Sequence, residues 1–124
     1  MIEKPRIIMV LQNILVILLF ISYGCSEHHI AKGTPECIEM KIDWISRQEV
    51  SNPPVSVSSY LYEGKTVFYI PAKCCDIPSQ LYDADCNYIC APDGGFGGSG
   101  DGKCPDFTSR RTQERLLWTD DRKP

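Results

Sequence analysis

A chain of 124 residues with a formal net charge of −3 has room for one small domain and little for a deep catalytic cleft. Its charge is also wrong for a nucleic-acid surface, since acids outnumber bases, 16 to 13. Seven cysteines in so short a chain point to a disulfide framework, because a domain of this size buries too little surface to do without staples.

The first six residues carry Lys4 and Arg6 ahead of an apolar run from Ile7 to Ile21, broken only by Gln12 and Asn13. That is the layout of a signal peptide, predicted over residues 1–24. The run falls short of the roughly 20 apolar residues that a spanning helix needs. It ends in "ISYGC", which resembles the lipobox of bacterial lipoproteins, where the cysteine is diacylated and becomes the mature N-terminus. Ser22 and Tyr23 depart from that pattern, and the alternative is ordinary cleavage after Gly24. The cysteine count favours lipidation of Cys25, since removing it leaves an even six. Residues 25–33 then form a lipidated, palmitate-bearing N-terminus and a polar tether. Both histidines, His28 and His29, lie in that tether and lack a third ligand there.

The domain is predicted over residues 34–124. Thr34, Pro35 and Glu36 suit a helix start, and about four turns are expected, ending before Asn52-Pro53-Pro54. At helical spacing Cys37, Ile38, Ile42, Trp44 and Ile45 share a broad apolar face, assigned to the core with Trp44 at its edge and in no binding role. "VSVSSYLY" and "KTVFYIP" are rich in β-branched and aromatic residues and flank Glu63-Gly64, a tight-turn signal. "SQLYD" and "NYICA" make a second hairpin around Asp83 to Cys86, and "QERLLWTDD" is a last strand or a short helix that docks through Leu116, Leu117 and Trp118. The fold class expected is α+β, one N-terminal helix packed on a small antiparallel β-meander, stapled by disulfides and carrying a Gly-rich loop.

Six cysteines remain for that framework, Cys37, Cys74, Cys75, Cys86, Cys90 and Cys104, and their spacing selects none of the fifteen possible pairings. Adjacent Cys74 and Cys75 are poorly placed to bridge each other, so each is expected to tie a different neighbour. Cys37 on the helix is in reach of the sheet.

From Asp76 to Asp106 the chain carries six aspartates against one lysine, Lys103. Asp83, Asp85 and Asn87 have the alternation of a calcium loop, but Tyr88 replaces the glycine an EF-hand needs and Gly94 stands where its glutamate belongs. They are weak calcium candidates against the alternative of a polar β-turn, and no metal or cofactor is expected. Gly97 to Lys103 spells G-x-x-x-x-G-K, but Cys104 takes the place of the magnesium-binding Ser or Thr, so no nucleotide is expected. The glycines read instead as an arm that folds back between Cys90 and Cys104 and delivers a disulfide partner, leaving an acidic surface loop. Gly95, Phe96, Asp101 and Lys103 are its candidate contact residues.

The segments "GKTVFYIPAKCCD", "LYDADCNYICAPDGG" and "GDGKCPDF", with the distal "LLW", have a specific resemblance. From Cys37 to Trp118 the chain resembles a family of small exported bacterial proteins known as a domain of unknown function, number 6970. The resemblance implies fold and export and brings no activity, ligand or catalytic residue. Without a histidine in the domain, Ser/His and Cys/His nucleophile arrangements are excluded, and no enzyme is expected. The function expected is a cell-envelope lipoprotein, periplasmic or on the outer-membrane face, acting as a non-catalytic binding or structural module. Its partners are the membrane, through the lipid anchor, and an envelope protein or glycan, with no nucleic acid. The alternatives are an inhibitor of an extracellular hydrolase and, behind it, a thiol redox enzyme using the vicinal cysteines.

Overall fold

In the computed structural model residues 29–74 and 76–124 are described. The signal peptide, Cys25, His28 and Cys75 lie outside the described residues. Among those described, no helix is long and apolar enough to cross a membrane.

Helix α1, Glu36–Ser46, runs three turns rather than the four expected. Thr34 does not cap it; its hydroxyl donates to the Ala31 carbonyl at 2.7 Å, and Pro35 stands in the N-cap position. The early stop has a local cause. The Ser46 hydroxyl turns back onto the Asp43 carbonyl at 2.7 Å, and the N–H groups of Arg47 and Gln48 close tighter i→i−3 bonds to Trp44 and Ile45. Ile38, Ile42 and Ile45 form the buried stripe. Trp44 sits about 120° around the axis from Ile38 and is 62 % exposed, so it lies beyond the edge of the core at which it was expected.

Five strands follow: β1, Ser56–Tyr62; β2, Lys65–Ile70; β3, Gln80–Tyr82; β4, Tyr88–Cys90; and β5, Thr112–Thr119. Glu63 and Gly64 both take left-handed φ, 49° and 77°, which matches the twist of a two-residue hairpin joining β1 to β2. The sheet order is β4-β3-β2-β1-β5 and every pairing is antiparallel. The first four strands are the expected meander. The "QERLLWTDD" segment is a strand, and it returns to the far edge of the sheet beside β1.

Strand period divides the sheet into two faces. Val57, Phe68, Ile70 and Tyr82 meet α1 with Val55, Leu117 and Trp118. Tyr60, Tyr62, Val67 and Leu81 point the other way, onto Cys104 and Phe107. That second face is roofed by residues 91–111, which carry the short helix α2, Phe107–Arg110. The sheet is therefore covered on both sides by a single crossing, helix on one and loop on the other.

Three ties hold these layers at their ends. Cys37–Cys86 links α1 to the β3–β4 turn, and Cys90–Cys104 links β4 to the roof. Arg122 grips the buried Asp120 with two hydrogen bonds, at 2.8 and 2.7 Å, while donating to the Gln48 carbonyl beyond the end of α1. Cys74 is also disulfide-bonded. Disulfides belong to an oxidising, extracytoplasmic compartment.

The two bridges close loops of different length, with sequence separations of 49 and 14. Chain entropy then predicts a loss of about 4 kcal/mol for Cys37→Ser with Cys86→Ser and about 3 kcal/mol for Cys90→Ser with Cys104→Ser. Urea unfolding of the two double variants checks the order; a larger loss from the short loop would mean that the roof depends on its bridge for more than loop closure.

Candidate binding site

Three of the six aspartates of the acidic belt are engaged by tyrosines of the sheet. Tyr62 Oη donates to Asp106 Oδ1 at 2.7 Å, Tyr69 Oη to Asp93 Oδ2 at 2.7 Å, and Tyr88 Oη to Asp101 Oδ2 at 3.0 Å. A fourth phenol, Tyr60, donates to Glu114 at 2.7 Å. The hydrogen bond to Asp106, with burial, pushes the Tyr62 phenol up to about 12. In return the Tyr62 hydroxyl, together with Arg110 at 2.9 Å, holds the Asp106 carboxyl below the usual carboxylate range. Burial first, and then the bond to Asp93, raises Tyr69 as well.

The calcium candidates form the polar turn. Asp83 Oδ1 accepts the N–H groups of Asp85 and Asn87, each at 2.9 Å, and its Oδ2 accepts Asn87 Nδ2 at 3.0 Å. These donors, those of Asn87 foremost, lower the Asp83 carboxyl. Among the described residues no three His, Cys, Asp or Glu side chains gather to hold a metal ion.

The Gly-rich arm does run back from Cys90 to Cys104, and it is folded on itself. Gly94 accepts from Gly100, Gly98 accepts from Gly94, and Asp101 N–H reaches the Ala91 carbonyl at 3.0 Å. Of its contact candidates, Phe96 projects at 98 % exposure, Gly95 lies against the Pro78 side chain, and Lys103 is exposed. Asp101 is engaged by Tyr88 and by the Lys103 N–H at 3.1 Å. None of the four lines the groove beside the arm.

A cavity does exist beside this arm, on the helix side of the sheet. A groove of about 380 Å³ opens between the last turns of α1, which supply Lys41, Trp44 and Ile45, and the β2–β3 connection, which supplies Pro71, Ala72, Lys73, Ile77 and Pro78; Val55, Ile70 and Gln80 complete its lining. Trp44 and Ile77, at 62 % and 53 % exposed, are the large apolar side chains left open there. The outer wall is braced by the glycine arm: Pro78 bridges to Gly94, and a Cβ on Gly94 would stand 2.7 Å from the Ile77 carbonyl oxygen. Lys73 is steered by donating to the Glu49 carbonyl at 2.8 Å, and Lys41 sits 4.3 Å over the Tyr82 ring. Sequence reasoning passed over this site. Its one local signal was Trp44, a large apolar residue off the buried stripe.

Two outcomes follow. Gly100 has φ +67°, and a Cβ there would run into the Ala91 carbonyl, so Gly100→Ala should cost roughly 2 kcal/mol or more; Gly97→Ala, with 3.8 Å to its nearest neighbour and no positive φ, should be near neutral. Equal melting temperatures for the two would refute the close approach. The Tyr62–Asp106 bond should also tie stability to pH at both ends. Because Tyr62 titrates higher when folded, its contribution is intact below about pH 10 and is lost as pH climbs toward 12. Because Asp106 titrates lower when folded, its contribution is lost as pH falls through the depressed value. Tyr62→Phe should flatten both limbs of a urea-midpoint profile; parallel profiles would dissociate the bond from stability.

No curated protein and no solved structure matches the chain. A family model described as a domain of unknown function, DUF6970, matches residues 43–120, which run from the last turn of α1 through all five strands and take in the whole groove except Lys41. On that match the chain belongs to the DUF6970 family.

Proposed function

We propose that this protein is a cell-envelope lipoprotein, held at the membrane by lipid on Cys25, and that it works as a non-catalytic binding module with the α1/β2–β3 groove as its site. The observation that carries the reading is the groove itself: an open apolar recess with Trp44 and Ile77 exposed in it. Pockets lined by apolar side chains with a few polar groups at the rim are the usual form of small-ligand sites. The frame is stiff where a binding site profits from stiffness, since one wall is a helix and the other is braced by the glycine arm. Cys25 is the odd cysteine of seven and follows "ISYG".

Anchoring and binding are tested separately. Cells fed an alkyne analogue of palmitate should label the wild-type chain and leave Cys25→Ser unlabelled; an unlabelled wild type released from membranes would replace the anchor with simple cleavage after Gly24. For the groove, a photoreactive residue at position 77 should give a cross-linked adduct in intact cells that Trp44→Ala weakens. Adducts formed only from position 96 would instead favour a hydrolase inhibitor presenting Phe96.

A further inference from the structure

We propose that the groove takes a single alkyl or acyl chain ending in an anionic head group, a carboxylate or a phosphate, with the head at Lys41 and Lys73. The inference rests on the reading of the groove as a binding site and names its ligand chemistry. Charge carries the first step. The groove lining holds two lysines and no carboxylate, in a chain whose formal net charge is −3. Every ion pair among the described residues uses an arginine, so neither ammonium is neutralised there by a carboxylate. An anion is the complement to that rim.

Hydrogen-bond direction carries the second step. The polar side chains of the lining are donors: two ammonium groups and the Gln80 amide, whose Oε1 already accepts from Tyr82 at 2.8 Å. Main-chain pairing is scarce, since Pro71 and Pro78 have no N–H and the Ile77 N–H is spent on the Cys74 carbonyl at 3.0 Å. A peptide needs a partner for each of its own N–H groups, and a sugar brings hydroxyls that donate as well as accept. An anionic head group only accepts. The rest of the lining, Trp44, Ile45, Val55, Ile70 and Ile77 among it, suits methylenes, and about 380 Å³ lies near the small end of ligand pockets, sized for one chain.

The test uses the full chain carrying Cys25→Ser, exported and purified without lipid, titrated with dodecanoate and dodecyl phosphate below their micelle concentrations. Calorimetry should report saturable binding, with affinity rising up to about fourfold per methylene from octanoate to dodecanoate. Trp44 emission should shift to the blue, and Trp44→Phe should abolish that shift while the buried Trp118 stays unchanged. Lys41→Met with Lys73→Met should weaken dodecanoate about tenfold and leave the weaker binding of dodecanol unchanged. Flotation with phosphatidylglycerol vesicles separates the sources of the head group: binding to vesicles that dodecanoate competes away supports a lipid source for the same site, and binding to dodecanoate alone supports a free acid. Silence toward both alkyl anions at about 1 mM, equal affinity for dodecyltrimethylammonium, or indifference to the lysine variant overturns the proposal. If cross-linking from position 77 persists in that event, the groove binds another chemistry and the binding-module reading stands; if it fails too, both fall.

Discussion

Phe107 lies fully buried against the sheet face opposite the helix, with its ring edge-to-face to Tyr60 at 5.7 Å and to Tyr62 at 5.3 Å, and stacked with Tyr69 at 5.7 Å. Arg111 closes the cluster, its guanidinium 4.5 Å from the Tyr60 ring centre. A five-stranded sheet with one helix leaves one face open to water, and among the described residues no second helix is long enough to cover it. Phe107 is how the protein meets that constraint. It draws the 91–111 segment across the open face, sets Cys104 beside Cys90, and releases the chain where β5 pairs with the β1 edge.

The aromatic roof also accounts for half of the acidic belt's aspartates. A tyrosine buried by its ring still needs an acceptor for its hydroxyl, and an exposed carboxylate at the end of that phenol is a strong one. Asp93 and Asp106 supply those acceptors from the segment that covers the face, and Glu114 supplies one from β5. Negative charge is thus placed where the phenols end: Asp93, Asp101 and Asp106 serve the joint between roof and sheet, while Asp83 closes its own turn.

The helix side has the opposite character. There the stripe of three isoleucines consumes one face of α1, and the residues just beyond it are left facing the β2–β3 connection. The connection holds its distance because the glycine arm stands behind it; Gly94 admits the Ile77 carbonyl only for want of a side chain. A structural role on the roof side, the tight arm between Cys90 and Cys104, is thereby coupled to the shape of the groove on the other. The two lysines at its rim stand outside the ion pairs of the described residues, which run through Arg47, Arg110 and Arg122.

What the amino-acid sequence by itself determined were features of local physics. The helix around Ile38, Ile42 and Ile45 follows from 3.6-residue spacing, the β1–β2 hairpin from Glu63-Gly64 between β-branched and aromatic runs, and the Asp83 turn from the affinity of Asp and Asn for their own backbone. The glycine arm was legible because so many glycines before a cysteine suit few other shapes. The length of α1 was not, since the choice between capping and back-bonding by Thr34 and Ser46 differs by one hydrogen bond. Trp44, expected at the edge of the apolar face, lies beyond it, because the buried stripe is narrower than the spacing suggests. Only the tertiary structure decided the pairing of Cys37 with Cys86 and Cys90 with Cys104, the return of β5 to the far edge, and the placing of Trp44 and Ile77, distant in the chain, in one groove. Each of these depends on which face of the sheet a distant segment covers, and sequence spacing, which reports the period of one element at a time, carries no information about that choice.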